Sequence, residues 1–301
     1  MNLVVGVDAG GTSSRAVVAT TTGSVVGRGL AGPGNPLTAG PAHAAAAVAA
    51  AVLAALGDHP PESVVAATLG IAGPATATQF APSLAALGVR APVTLVGDVV
   101  TAFASGTPAP AGAVLIAGTG AIAASVRADA VERTSDGLGW LLGDEGSGRW
   151  LGLQAIRTAV RTWSAPFATR IATQAGVGTA DEMVYWAQSL PWNEIGDLAP
   201  LVCAAARTGD PHAKAIVDEA VTHLVATLDN LAADGPVVLG GGLLTGDTPV
   251  RDGVLKVLQS RGLTPRTAHD PAAGAAWLAA RPLSPLTPTA LHETLLGSRP
   301  S

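Results

Sequence analysis

The opening stretch LVVGVDAGGTSSRAVVATTTGSVVGRG constrains the fold of this chain more than any other segment. It reads as three short β segments, residues 3–7, 14–20 and 25–29, with a glycine turn between the first two and Thr22-Gly23 closing the next. That is an antiparallel meander. The segment GAVLIAGTGAIAASV, residues 112–126, repeats its plan of strand, Gly-Thr turn and second strand. Two such hairpins at domain-sized spacing point to a duplicated architecture.

Between and after them the pattern alternates. Residues 41–56 read as an alanine-rich helix, 64–71 as a buried strand ending at Gly73-Pro74, 82–87 as a short helix and 93–96 as another strand. Leu153, Ile156, Val160 and Trp163 recur at helical spacing, with Arg149, Arg157 and Arg161 off that stripe. Val217, Val221, Leu224, Leu228 and Leu231 do the same. The second of these helices leads into a short strand at 236–239 and then Gly240-Gly241-Gly242; the proline-rich tail holds one helical candidate at 290–296. Strands alternating with helices define an α/β layer.

Composition excludes several functions for this 301-residue chain. Net charge is −5, and only Lys214 and Lys256 are lysines, so no basic stripe exists for a nucleic acid backbone. The single Cys203 excludes an intrachain disulfide and multi-thiolate metal sites, fits a reducing cytoplasm, and reads as a buried helical residue. The longest apolar run, 44–56, is too short to span a bilayer, and no cationic segment precedes Asp8, so neither a membrane anchor nor a secretory signal is expected. The six histidines, scattered from His43 to His292, show no metal-ligand spacing.

The chemistry-bearing residues sit at strand ends. Asp8 is followed by Gly10-Gly11-Thr12, where backbone N–H groups can turn inward around an anion; an ordinary hairpin turn explains the same residues. Gly118-Thr119-Gly120 and Gly240-Gly241-Gly242 carry the same two readings. Neither GxxxxGK[ST] nor GxGxxG is present at the first strand. Asp98 follows the strand at 93–96 and either accepts a proton from a hydroxyl or caps the next helix. Asp144 is either a site acid or a helix-dipole partner, Asn35 either a ligand contact or a turn residue, and Trp140 reads as core.

Taken in order, VDAGGTSSRAVV, LGIAGP, LVGDVVTAF, AVLIAGTGAIA, GLGWLLGDEGSGRWLG and VVLGGGLLTG resemble the N-acetylglucosamine kinase branch of the BadF/BadG/BcrA/BcrD ATPase family, within the sugar kinase/Hsp70/actin superfamily. The resemblance implies an α/β fold with two ribonuclease H-like, actin-like ATPase domains around a central cleft that closes to exclude water. The domains would be 1–108 and 109–282, with 283–301 packing back on the first. It implies ATP and Mg²⁺, with Asp8 orienting the metal through water, Gly10, Gly11 and Thr12 as a first phosphate loop, and Gly118, Thr119 and Gly120 as a second. Gly240, Gly241 and Gly242 would lie against adenosine. Asp98 would be the base for the sugar 6-hydroxyl, with Asn35, Gly73, Gly137 and Asp144 also holding the amino sugar. N-acetylglucosamine is the expected acceptor with glucosamine second, in a cytoplasmic enzyme whose expected assembly is a homodimer.

Phosphoryl transfer needs chiefly positioning and charge neutralisation, which glycine amides, Mg²⁺ and one carboxylate supply without lysines. One departure bears on substrate choice. The family loop before GDEGS usually reads Gly-Gly-Trp-Gly, whereas this chain has Asp136-Gly137-Leu138-Gly139 with Trp140 displaced. Asp136 either pairs with the ammonium of glucosamine or is an exposed turn residue. The family's activator ATPases hold an iron–sulfur cluster with two cysteines per subunit, which Cys203 alone does not match. A sugar-responsive repressor would need a helix-turn-helix ahead of Asp8, and a filament protein would have no use for the sugar-site block.

Overall fold

The computed structural model describes residues 1–297. The described chain divides into two compact units, one of residues 1–112, 126–132 and 268–297, the other of 113–125 and 133–267.

In the first unit, β1 (Leu3–Ala9), β2 (Ser14–Thr20) and β3 (Val25–Ala31) form the expected antiparallel meander. The short α1 (Pro36–Ala39) and α2 (Pro41–Leu56) follow, then β4 (Val64–Ile71), α3 (Ala77–Ala86), β5 (Val93–Gly97) and α4 (Asp98–Gly106). The sheet order is β3-β2-β1-β4-β5, with β4 parallel to β1 and β5 parallel to β4. Side-chain alternation sets the faces. Leu3, Val5 and Val7 of β1 join Ala44, Val48 and Val52 of α2 in one core with Leu69 and Phe80.

The second sheet opens with β6 (Ala111–Ala117), β7 (Ala121–Arg127) and β8 (Ala130–Asp136), and α5 (Gly148–Arg161), α6 (Pro166–Ala175), α7 (Ala180–Ser189), α8 (Ala199–Arg207) and α9 (Pro211–Asp229) follow. After them run β9 (Val237–Gly240), α10 (Gly242–Thr245), α11 (Pro249–Ser260) and β10 (Arg266–Thr267). The order β10-β9-β6-β7-β8 reproduces the first sheet strand for strand. This shared topology, with short strand connections on one side and helical crossovers on the other, is the ribonuclease H-like arrangement twice over.

The last two helices, α12 (Pro271–Ala280) and α13 (Pro288–Leu296), return to the first unit. Residues 268–280 fall there rather than in the second domain where the sequence reading put them, because α12 packs on β1, β4 and α4. A Cβ on Gly6 of β1 would stand 2.0 Å from the Ala276 backbone nitrogen, so helix and strand touch backbone to backbone. Trp277 Nε1 donates to Pro288 O at 3.1 Å, and the buried His292 ring bonds Ala104 O at 2.8 Å, which ties α13 to the same unit. Residues 298–301 of the expected tail lie outside the described part.

Other boundaries shift for local reasons. α3 begins at Ala77 rather than at 82, because Thr76 N–H bonds Gln79 Oε1 at 2.9 Å and closes the helix start earlier, leaving Pro82 inside. α9 starts at Pro211 because Asp210 accepts from His212 N and Ala213 N. β8 escapes sequence reading since its first five residues are all exposed and show no apolar alternation; a two-residue turn at Ala128-Asp129, both at positive φ, pairs it to β7. Among the described residues no helix is long and apolar enough to cross a membrane.

Gly6→Ala is expected to lower stability by ~3 kcal/mol or more, since neither backbone can yield, whereas Gly10→Ala, with nothing within 4 Å of the added carbon, leaves it within ~1 kcal/mol. Urea unfolding of the two variants measures the difference.

Candidate functional site

Each unit carries its own cluster at the C-terminal ends of its central strands, the usual place for ligand sites in open α/β sheets.

In the first unit the turn after β1 is closed by Gly10 N donating to Ser13 O at 3.0 Å. The N–H groups of Gly34 and Asn35 both donate to Gly10 O, at 3.0 and 3.1 Å, which brings the start of α1 against this turn. Asn35 Oδ1 caps α1 by accepting from Leu37 N at 2.8 Å, and its amide lies beside Gly73, which has a φ of +82°. Asp8, Gly10, Gly11, Thr12, Asn35 and Gly73 therefore share one strand-end surface.

Asp98 opens α4 directly after β5. Its carboxylate accepts from the adjacent Val99 N at 3.0 Å, while Gly97 occupies the cap position, so Asp98 is the helix's first residue and not its N-cap. Burial raises its pKa, against the pull of the Val99 amide. Asp8 is pushed up to about 7, first by burial and then by the nearby Asp98 carboxylate, with Arg15 and Thr101 opposing. Two half-buried acids, with Asp98 adding to the rise in Asp8, are a charge surplus that a cation would relieve. Hard carboxylate oxygens are the donors Mg²⁺ prefers, and Mg²⁺ needs only one or two of them besides water and phosphate, so these residues fit that ion.

In the second unit, Gly118 N bonds Gly120 O at 2.9 Å to close the β6–β7 turn. Gly118 O accepts Gly148 N at 2.8 Å, and Thr119 O accepts both Arg149 N at 3.3 Å and Arg149 Nε at 3.2 Å, which docks the N-terminus of α5 on the turn. Arg149 also stacks over the Trp192 ring, 4.8 Å from its centroid. Gly241, at φ +79°, crosses so close to β6 that a Cβ would sit 2.4 Å from Ala117 O. The two glycine turns are thereby neighbours.

Together they form one wall of a cavity of about 570 Å³, completed by residues such as Asn193, Asp197, Pro200, Cys203, Arg207 and Thr248. Gly118, Thr119 and Gly242 reach this cavity; Gly240 is buried within β9 and paired with Ile116, and Gly241 makes the turn. The far wall went unread in the sequence, because α8 meets the glycine turns only through tertiary packing. Cys203 is buried in α8 as expected, and burial raises its thiol pKa.

Asp144 is 6% exposed and stands against the same turn, its Oδ1 accepting Ala121 N at 3.2 Å. Burial raises its pKa, with the Ala121 amide and Arg149 opposing. Gly137, at φ +76°, packs over Ile122. Trp140 is not core: it is 40% exposed, on a loop whose Leu141 is 75% exposed. Asp136 is neither a free carboxylate nor a bare turn residue, since both its oxygens accept backbone N–H groups, from Asp144 at 2.7 Å and Glu145 at 2.9 Å.

Two ribonuclease H-like sheets, each with a glycine turn after its first strand, define an actin-like ATPase fold. The chain belongs to the BadF/BadG/BcrA/BcrD ATPase family, whose model matches residues 5–279. It is 28% identical over 207 residues, 60% of its length, to an N-acetyl-D-glucosamine kinase of Dictyostelium discoideum. It is 27% identical over 169 residues, 54% of its length, to an N-acetylmuramic acid/N-acetylglucosamine kinase of Clostridium acetobutylicum. The matched stretches span 63% and 55% of those two relatives. A crystal structure of a candidate N-acetylglucosamine kinase from Chromobacterium violaceum superposes with a TM-score of 0.74 at 27% identity, over 92% of this chain and 99% of that one.

The raised Asp8 fixes a pH dependence. Its folded-state carboxyl keeps the proton up to about pH 7, whereas its ordinary value is 3.8, so ionisation costs stability as pH rises between those values. Asp8→Asn removes that cost. In metal-free solution the variant is expected to unfold above wild type at alkaline pH, by ~1 kcal/mol or more, with the gap vanishing toward pH ~4 in pH-stepped thermal melts.

Proposed function

We propose that the chain is an ATP-dependent amino-sugar kinase that transfers the γ-phosphate to the 6-hydroxyl of N-acetylglucosamine, with glucosamine as second acceptor. The observation that carries this reading is the second-unit cavity, because a nucleotide-sized space walled by two glycine turns offers amides to phosphates and apolar surface to a base. The kinase relatives support the substrate class, and the Clostridium acetobutylicum relative makes N-acetylmuramic acid the first alternative acceptor.

In this reading Asp98 takes the proton of the attacking hydroxyl; its raised pKa brings its basicity closer to that task than an exposed aspartate's. Gly10, Gly11 and Thr12 present backbone amides to one part of the triphosphate, and Gly118, Thr119 and Gly120 to another. Gly240, Gly241 and Gly242 shape the adenosine side, with Gly242 at the wall. Asp8 holds Mg²⁺ through water, and the ion supplies charge neutralisation on the triphosphate. Asn35 caps α1 with its oxygen and keeps its amide hydrogens for a sugar hydroxyl, beside Gly73. Asp144 accepts from sugar hydroxyls, next to Gly137.

A coupled ADP-release assay across N-acetylglucosamine, glucosamine, N-acetylmuramic acid and glucose tests the reading; ADP release that does not depend on any sugar overturns it. Asp98→Asn is expected to reduce kcat by ~10²-fold or more while ATP affinity stays within about twofold.

Two measurements probe the nucleotide position without turnover. Gly242 has nothing within 4 Å of an added Cβ, so Gly242→Leu fills the cavity without backbone strain and is expected to abolish ATP binding in calorimetry. Alkylation of Cys203, the only cysteine, is expected to proceed at alkaline pH and to slow when ATP is present.

A further inference from the structure

The loop between β8 and α5 has no apolar centre. Leu138, Trp140, Leu141 and Leu142 all face outward. Its bends are instead made by Gly137 and Gly139 at positive φ and by Gly139 O, which accepts Leu142 N at 3.1 Å and Gly143 N at 2.8 Å. What the loop folds around is a carboxylate. Asp136, itself in the left-handed region at φ 60°, accepts Asp144 N on Oδ1 at 2.7 Å and Glu145 N on Oδ2 at 2.9 Å. The backbone closes so tightly that a Cβ on Gly143 would stand 2.1 Å from Asp136 Oδ1.

The consequence reaches Asp144. That residue is also left-handed, at φ 58°, a conformation that costs a non-glycine residue unless its surroundings hold it. The Asp136 carboxylate holds its N–H, and the Asp144 carboxylate then reaches Ala121 N at 3.2 Å over the β6–β7 turn, with Gly120 leaving the space. Burial raises the Asp144 pKa, and the nearby Asp136 adds a smaller push in the same direction.

We propose that Asp136 is a positioning residue for sugar recognition, acting through Asp144: it fixes the backbone at 144–145 so that the Asp144 carboxylate is held ready for sugar hydroxyls. The proposal rests on the reading above, in which Asp144 binds the acceptor. Asp136 does not touch the sugar amine in this arrangement, so its effect is blind to whether the amine is acetylated.

The test is a double-mutant cycle on turnover with both sugars. Asp136→Gly keeps the positive φ without strain and removes the carboxylate. It is expected to raise KM for N-acetylglucosamine and for glucosamine by the same factor, ~10-fold or more, with KM for ATP and kcat changed less than about threefold. Asp136→Asn, which keeps one acceptor oxygen, recovers part of that loss and stands in for the glycine variant if that one fails to fold. In the Asp144→Asn background the Asp136 substitution is expected to add less than about twofold, because a residue acting through Asp144 has nothing further to lose.

Additive losses, a loss confined to glucosamine, or an equal rise in KM for ATP each overturn the proposal. If Asp144→Asn is costly and neither Asp136 variant is, Asp136 alone loses its role. If Asp144→Asn leaves the sugar KM untouched, the acceptor reading of Asp144 falls and takes the proposal with it.

Discussion

The close seating of small-residue helices on glycine-bearing strands is the contact on which the first unit depends. Six of the ten residues of α12 are alanine, beside one buried Trp277, and the helix lies so near β1 that the Gly6 position has no room for a side chain. On the opposite face α2, equally alanine-rich, presses on β3, where a Cβ on Gly27 would come within 1.9 Å of Ala55 O. A sheet sandwiched this tightly holds its strand ends in register, and those ends carry Asp8, Asn35 and Gly73. The alanine content thus has a structural cause: longer side chains would lift the helices away from the strands.

Charge is then distributed to suit an anion without bulk cations. Lysine is almost absent, and among the described residues most arginines with ion pairs make them at the surface. In the proposed reading the turns at residues 10–12 and 118–120 supply backbone amides to phosphate. Against them the structure sets partly or fully buried acids, half-buried Asp8 and Asp98 in one unit and buried Asp144 in the other, each raised chiefly by loss of solvent. Burying acids beside anion-binding amides costs stability unless the acids have a task. That imbalance is a stronger pointer to catalysis than the glycine turns, which a plain hairpin also explains.

The sequence made the motif positions legible because each lies within a few residues of a strand it terminates. Asp8 with its glycine turn, Gly118–Gly120 and Asp98 all follow apolar runs whose period gives their place directly. The repeated strand order was also foreshadowed by the two similar hairpins, since short antiparallel connections leave little topological choice. Hidden were the features made by distant segments meeting: the α8 wall of the cavity, α12 lying on β1 rather than in the second domain, and β8, whose exposed residues carry no apolar signal.

Asp136 and Trp140 show how local reading fails within a single loop. A tryptophan among leucines reads as core because apolar runs usually pack inward, and an aspartate before glycine reads as a solvated turn. Here a tight bend needs its amides satisfied, and a carboxylate meets several of them at once from one residue. With the acid at the loop's centre, the ring and the leucines stand outward. The inversion follows from hydrogen-bond accounting rather than from hydrophobicity. Periodicity cannot register it, since the amides concerned, at Asp144 and Glu145, lie a whole loop away from the carboxylate that binds them.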